Sequence, residues 1–220
     1  MKKNVYSVVL SEEVVAAVDR VAYAVGTNRS DMINRILAEY VSFETPEMKM
    51  QSIFEGISAL LEGSDRFKRM PDTGRTVMNL RSPIVYKYNP SVRYSIELYR
   101  TAVGESIGEL RAVLRTQNVT LIEFFSEFCR LFDAVEREYG VKAEALSEEG
   151  RYCRQLLPRR NASAFPKGTE QTLGDAIGDF VTLFDNSLKL FFQENCRREV
   201  CKGQLQKFYA GYVSENPILV

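Results

Sequence analysis

Residues 5–41 read VYSVVLSEEVVAAVDRVAYAVGTNRSDMINRILAEYV, and this stretch decides the predicted architecture. Its first six residues are mostly β-branched or aromatic, which favours an extended strand. Ser11 fits a helix N-cap, and apolar residues then recur at helical spacing up to Gly26, which suits the left-handed end of a helix. Asn28 fits the N-cap of a second amphipathic helix. The predicted order is therefore strand, helix, tight turn and helix.

One strand and two amphipathic helices cannot bury their apolar faces in a monomer of this size. A two-fold dimer, in which the strands pair and the helices interlock, removes that difficulty. In this order and spacing, residues 4–44 resemble the ribbon-helix-helix family of MetJ, Arc and CopG-type repressors. The resemblance covers about a fifth of the chain and predicts a homodimer that binds DNA.

The resemblance also implies which side chains meet DNA. In that family the outward side chains of the strand read base edges in the major groove, and the implied base-facing residues here are Val5, Ser7 and Val9. The N-terminus of the second helix suits a phosphate, since its N–H groups lack intrahelical partners. The implied phosphate contacts are Lys2, Lys3, Asn28, Arg29 and Ser30.

Two features of this module leave an alternative open. Valines can only touch thymine methyl groups, so base readout through Val5 and Val9 would be weak. Residues 1–44 also carry five basic and six acidic side chains, whereas most DNA-binding modules are more basic. The module could therefore serve only to dimerise an interaction or scaffold protein, and an antitoxin-like regulator is a third interpretation.

A basic segment follows at residues 66–100, which contain eight basic and two acidic side chains. Interleaved basic and aromatic residues can bind nucleic acid. The predicted auxiliary basic surface comprises Arg75, Arg81, Lys87 and Arg93. The alternative is a solvated face whose charges pair with the acidic segment 101–150.

The remaining chain, residues 45–220, is predicted to be a mostly helical domain that senses an effector, binds a partner or builds oligomers. Helices are predicted over 48–61, 90–114, 120–140, 143–157 and 170–213, the last of which could be two helices, and residues 76–88 are predicted to be extended. The predicted fold class is thus mainly α, with an N-terminal ribbon-helix-helix module (one strand pairing across a dimer) followed by a mostly helical domain.

Composition argues against several other classes of protein. The chain has no histidine, which removes the commonest general base and metal ligand. Its four cysteines lack zinc-site spacing, and Asp175 and Asp179 have no partner motif for a metal. We therefore predict no enzyme, no cofactor and no metal. No segment has the length and apolarity of a membrane helix or the pattern of a signal peptide, so a cytoplasmic protein without membrane contact is expected. The predicted function is a dimeric, bacterial-type transcriptional regulator.

Overall fold

The structure, a computed structural model, describes residues 7–43, 45–61, 66–142, 145–158, 173–195 and 197–215. The chain divides into two compact units, residues 1–49 and residues 50–220. The boundary predicted from the sequence lies between residues 44 and 45.

The first unit contains two helices, α1 (Glu12–Ala24) and α2 (Arg29–Tyr40). The predicted caps are confirmed: Ser11 Oγ accepts the N–H of Val14, and Asn28 Oδ1 accepts the N–H of Asp31 at 2.9 Å. Gly26 has φ +66°, as the end of α1 requires. The predicted strand is not found over residues 7–10, which belong to no strand or helix. Val5, the first residue of the predicted strand, lies outside the described residues.

The second unit combines helices with one antiparallel sheet. Helix α3 (Pro46–Leu61) begins at the end of the first unit and continues into the second. The sheet has six strands in the order β1-β2-β3-β4-β6-β5. The remaining elements are β1 (Lys68–Gly74), β2 (Val77–Pro83), β3 (Ser91–Val103), β4 (Ser106–Arg115), α4 (Val119–Glu138), β5 (Ala145–Glu148), β6 (Arg151–Leu156), α5 (Leu173–Gln193) and α6 (Arg198–Glu215).

Helices cover one side of this sheet. The paired residues Leu80, Tyr94, Ala112 and Tyr152 form a continuous cross-strand row and are all buried. The ring of Phe184 on α5 lies 6.1 Å from Tyr94 and 4.9 Å from Tyr152, measured between centroids. Helix α4 joins the same core through Phe128, which lies 5.2 Å from Phe184. The core of this unit is rich in phenylalanine and lies between the helices and the sheet.

The predicted fold class is wrong, since the chain is mixed α/β rather than mainly α with a ribbon-helix-helix module and a mostly helical domain. The largest error is the helix predicted over 90–114, which is the hairpin of β3 and β4. From Val92 to Leu98, buried apolar side chains alternate with partly exposed polar ones, as in a strand with one buried face. Gly104, with φ +62°, turns the chain between the two strands.

A second error has a similar cause. The helix predicted over 143–157 is the hairpin of β5 and β6, which turns at Gly150 with φ +76°. Asn89, the residue before the helix predicted over 90–114, has φ +44° in the turn that precedes β3. The helices predicted over 48–61 and 120–140 correspond to α3 and α4, and the segment predicted over 170–213 contains α5 and α6.

None of the helices in the described ranges is long and apolar enough to cross a membrane.

Candidate nucleic-acid interface

The N-terminus of α2 holds three of the predicted phosphate contacts. Asn28 already caps the helix, since its Oδ1 accepts the Asp31 N–H and its Nδ2 donates to Asp31 Oδ2 at 3.0 Å. Ser30 is exposed in the first turn. The dipole and the first N–H groups of the helix favour an anion here, whereas the carboxylate of Asp31 opposes one.

Arg29 is engaged within the unit. Its Nε donates to Asp19 Oδ1 at 2.7 Å, and its Nη2 donates to Asp19 Oδ2 at 2.5 Å. Hydrogen bonding by Arg29 lowers the pKa of Asp19, so this pair stays charged at neutral pH. Asp19 thus occupies the two-point site that Arg29 would offer to a phosphate.

The predicted base-facing residues are described only in part. Ser7 is exposed and Val9 is 100 % exposed. Val5, Lys2 and Lys3 lie outside the described residues. An apolar side chain that is fully exposed contributes nothing to the core of its own chain, so Val9 is available to another molecule.

The first unit has a very small core and a large exposed apolar surface. Its buried cluster contains Val18, Ala22 and Met32, with Ile33 packed against it. The exposed apolar residues are more numerous: Val8, Val9, Leu10, Val14, Val21, Tyr23, Val25, Ile36, Leu37, Tyr40, Val41 and Phe43. Scattered exposed apolar residues are common on soluble proteins, whereas large apolar patches mark interaction sites.

None of the described elements of the second unit covers the other side of the sheet, which is called here the open face. It is the side opposite the helices, and its residues alternate with the buried row described above. One cross-strand line on this face runs through the Cα partners Lys68, Arg81, Arg93, Val113, Arg151 and Glu148. We call its four cations, Lys68, Arg81, Arg93 and Arg151, the basic row.

Charge on the open face is segregated along the strands. The line that contains the basic row has four cations and one carboxylate, Glu148. Farther along β3 and β4, Glu97 lies opposite Glu109, and Arg111 forms ion pairs with both. The acidic end of the face is thereby neutralised in part, while the basic row is not.

The structure brings together two of the four predicted auxiliary residues. Arg81 and Arg93 are direct cross-strand partners, whereas Arg75 lies in the β1–β2 turn and Lys87 in the β2–β3 loop. Sequence reasoning missed Lys68 and Arg151. The signal for Arg151 was the Glu149–Gly150 pair between two short extended segments, which is typical of a hairpin turn.

A buried polar cluster lies on the helical side of the sheet. Arg154, with 0 % side-chain exposure, pairs with Glu136 at 2.9 Å, and Tyr209 donates to the same carboxylate at 3.2 Å. The Arg154 guanidinium also stacks 4.2 Å from the centroid of Phe180. Glu136 supplies the counter-charge for Arg154 inside the core, which indicates a structural cluster, and Nη2 of Arg154 takes part in the ion pair without a hydrogen bond.

A cavity of about 610 Å³ lies beside α5 and α6. Its polar groups are engaged locally: Arg66 donates to Asn186 at 3.1 Å, and the Thr182 hydroxyl donates to Gly178 O within α5. Lys189, also in the lining, pairs with the buried Asp185 at 2.6 Å. Among the described residues no cluster of three His, Cys, Asp or Glu is placed to hold a metal ion.

Comparison of the chain with known protein families, with curated proteins and with solved structures found no match. The resemblance of residues 4–44 to ribbon-helix-helix proteins stays a prediction, and function has to be argued from the surfaces just described.

Proposed function

We propose that this protein is a homodimeric DNA-binding protein, most simply a transcriptional regulator of bacterial type, and that its N-terminal unit forms the dimer. One observation carries the proposal. Among its described residues the unit buries four apolar side chains, Val18, Ala22, Met32 and Ala38, of which the first three form its core, while a dozen others remain exposed on α1, on α2 and at their ends.

The arrangement of those residues favours a second copy as the partner. On α2 the exposed side chains Ile36, Leu37 and Tyr40 recur at helical spacing, so they form one stripe. On α1, Val14, Val21 and Val25 form another. A two-fold axis beside these stripes would bury both in one step, because each protomer brings the same surfaces.

DNA binding is supported by the start of α2. Two such helix N-termini, related by the two-fold axis of a dimer, would offer their dipoles and N–H groups to two phosphates of a duplex. Ser30 lies at each N-terminus, and Arg29 can join once it leaves Asp19. The family resemblance of residues 4–44 points to the same use of this helix end.

The dimer is tested with Leu37→Asp, which places a negative charge in the α2 stripe, and with Arg35→Gln as the control. Arg35→Gln makes the same change in net charge at an exposed position two residues away, which does not face Leu37. Light scattering should give the wild type and the control twice the 25.1 kDa chain mass, and give Leu37→Asp the mass of one chain. A monomeric wild type contradicts the proposal.

DNA binding is tested by fluorescence anisotropy with duplex fragments taken from the region beside the protein's own gene. We expect salt-sensitive binding that Leu37→Asp weakens, because a dimer holds DNA at two points. No salt-sensitive binding at micromolar protein would refute this part.

A second candidate function is an interaction protein whose N-terminal unit only dimerises. The observation that favours it is the two-point pairing of Arg29 with Asp19, which removes the best phosphate ligand of α2. Under this alternative, Arg29→Ala leaves DNA affinity unchanged and the dimer intact. Under the main proposal it weakens DNA binding.

A further inference from the structure

Three of the four cations in the basic row are in direct register, and Val113 on β4 separates the fourth, Arg151, from them. Lys68 lies opposite Arg81, and Arg81 lies opposite Arg93, on three adjacent strands. Lys68, Arg81 and Arg151 are exposed, while Arg93 is half-buried. Among the described residues none of the four forms an ion pair; Arg81 and Arg93 donate instead to the neutral oxygens of Ser91 and Asn79, each at 3.1 Å.

This arrangement costs folding free energy. Like charges directly opposite each other on a sheet destabilise it, and neutral hydrogen-bond acceptors do not remove that repulsion. Of the carboxylates on the open face, Glu97 and Glu109 lie beside Arg111, and Glu148 lies opposite Arg151 at one end of the row. The cross-strand partners of Lys68, Arg81 and Arg93 include no carboxylate. A polyanion lying along the row would remove the repulsion.

We propose that the open face of the sheet binds the phosphate backbone of duplex DNA through the basic row. The inference rests on the proposed function, since it gives the second unit a part in the same DNA binding. Four strand spacings of about 4.8 Å separate Lys68 from Arg151, roughly 19 Å in all. One strand of B-DNA carries about five phosphates over that length.

The chemistry of the face favours backbone contact with a duplex over binding of single strands. Single-strand sites stack bases on aromatic side chains. Neither the basic row nor the residues paired with it include an aromatic side chain. Tyr99 continues the alternation of β3 on the open face, but it lies six residues along the strand from Arg93, beyond Glu97. Arginine forks match phosphate oxygens and read no sequence when they bind the backbone, so this surface adds affinity without specificity.

The test replaces the two exposed arginines of the row in the full-length protein, as Arg81→Gln with Arg151→Gln. The matched control is Arg130→Gln with Arg137→Gln, which removes two exposed arginines from α4. Anisotropy is measured with two unrelated 30-base-pair duplexes over a range of salt concentrations. The slope of log affinity against log salt should fall by about 2 per protomer for the row variant, and the control should keep the wild-type slope.

A charge-keeping variant separates phosphate binding from structure. Arg81→Lys with Arg151→Lys should retain most of the slope, because lysine also binds phosphate as a point charge. Loss of the slope in both row variants, with the α4 control unaffected, would overturn the proposal in favour of a structural role.

The other outcomes distinguish this inference from the proposed function. If the wild type binds DNA and the row variant matches it, the open face is not the site, and binding through the N-terminal unit stands. If monomeric Leu37→Asp binds duplex as well as the wild type and the row variant loses affinity, the open face stands and the dimeric mechanism fails. No binding by the wild type overturns both. If polyglutamate displaces the labelled duplex as strongly as unlabelled DNA does, the occupant of the open face is an acidic protein and the proposal is overturned.

Discussion

Arg29 at the start of α2 and Asp19 in α1 form a two-point ion pair, with 2.7 Å between Nε and Oδ1 and 2.5 Å between Nη2 and Oδ2. A carboxylate here presents two oxygens to the guanidinium as a phosphate would. Under the proposed function, Asp19 competes with DNA for Arg29, and the pair sets how strongly the N-terminal unit holds a phosphate.

Asp19→Asn should tighten DNA binding, because the neutral side chain releases Arg29 and removes one negative charge beside α2. The salt dependence of the affinity should become steeper by about one phosphate contact per protomer. Glu39→Gln, which makes the same charge change near the other end of α2, is the control and should have the smaller effect. Anisotropy titrations measure both variants. Equal gains from the two variants would mean that only net charge matters.

Glu136→Gln should destabilise the second unit strongly. The substitution leaves Arg154 buried without a counter-charge, which costs about 3–5 kcal/mol of unfolding free energy. Urea denaturation measures the loss. Glu138→Gln on the same helix breaks an exposed pair with Lys202 and should change the midpoint little.

The double variant Glu136→Leu with Arg154→Met completes this experiment. Removing both charges should recover most of the stability, because no uncompensated ion then remains in the core. A double variant as unstable as Glu136→Gln would show that the Arg154 contacts with Phe180 and the neighbouring tyrosines matter more than the ion pair.

High pH should destabilise the second unit through its buried tyrosines. Burial and the Asp185 charge raise the pKa of Tyr94 well above its ordinary value, and burial and the Glu136 charge raise the pKa of Tyr152 and Tyr209. A pKa raised in the folded state gives stability that is complete below the unfolded value of about 10. That stability is lost as pH rises above about 10, since the unfolded chain releases its protons first.

Absorbance at 295 nm followed together with circular dichroism between pH 9 and 12 checks this prediction. Tyr94, Tyr152 and Tyr209 should ionise only as the folded signal disappears. Tyr152→Phe should reduce that late phase by one tyrosine, since its hydroxyl makes only a long contact of 3.5 Å with Glu136. A reduction in a phase that precedes unfolding would contradict the pKa shift.

The N-terminal helices were predictable because their signals are local. The signals are the N-caps Ser11 and Asn28 and the left-handed Gly26. Each acts on the turn of helix next to it, so a single sequence displays it directly. The predicted strand at residues 5–10 depends on a partner strand that one chain does not supply. The exposure of Val9 agrees with an unpaired segment. The neighbouring sequence does not indicate which strand would pair with that segment.

The sheet was missed for a different reason. Residues 92–98 alternate strictly between buried and partly exposed positions, but the longer run to Leu114 also contains enough apolar residues to suggest a helix. The basic row could not be seen in the sequence, because Lys68, Arg81, Arg93 and Arg151 are brought together only by the register of five strands. In the sequence, Arg81 and Arg93 indicate a basic surface by their charge alone. The β2–β3 pairing makes them neighbours.

Gly174→Ala and Gly203→Ala should change stability in opposite directions. Gly174, at the start of α5, lies against the backbone of α3, where an added Cβ would stand 2.6 Å from Ile53 O and 3.1 Å from Gly56 Cα. Backbone atoms cannot move aside cheaply, so we expect a loss of about 1–3 kcal/mol. Gly203 lies within α6 with nothing within 4 Å of an added Cβ, and alanine there should add about 0.5–1 kcal/mol by improving helix propensity. Thermal and urea unfolding of the two variants measure both values. A neutral Gly174→Ala would mean that α3 does not pack against α5 as closely as the backbone contact requires.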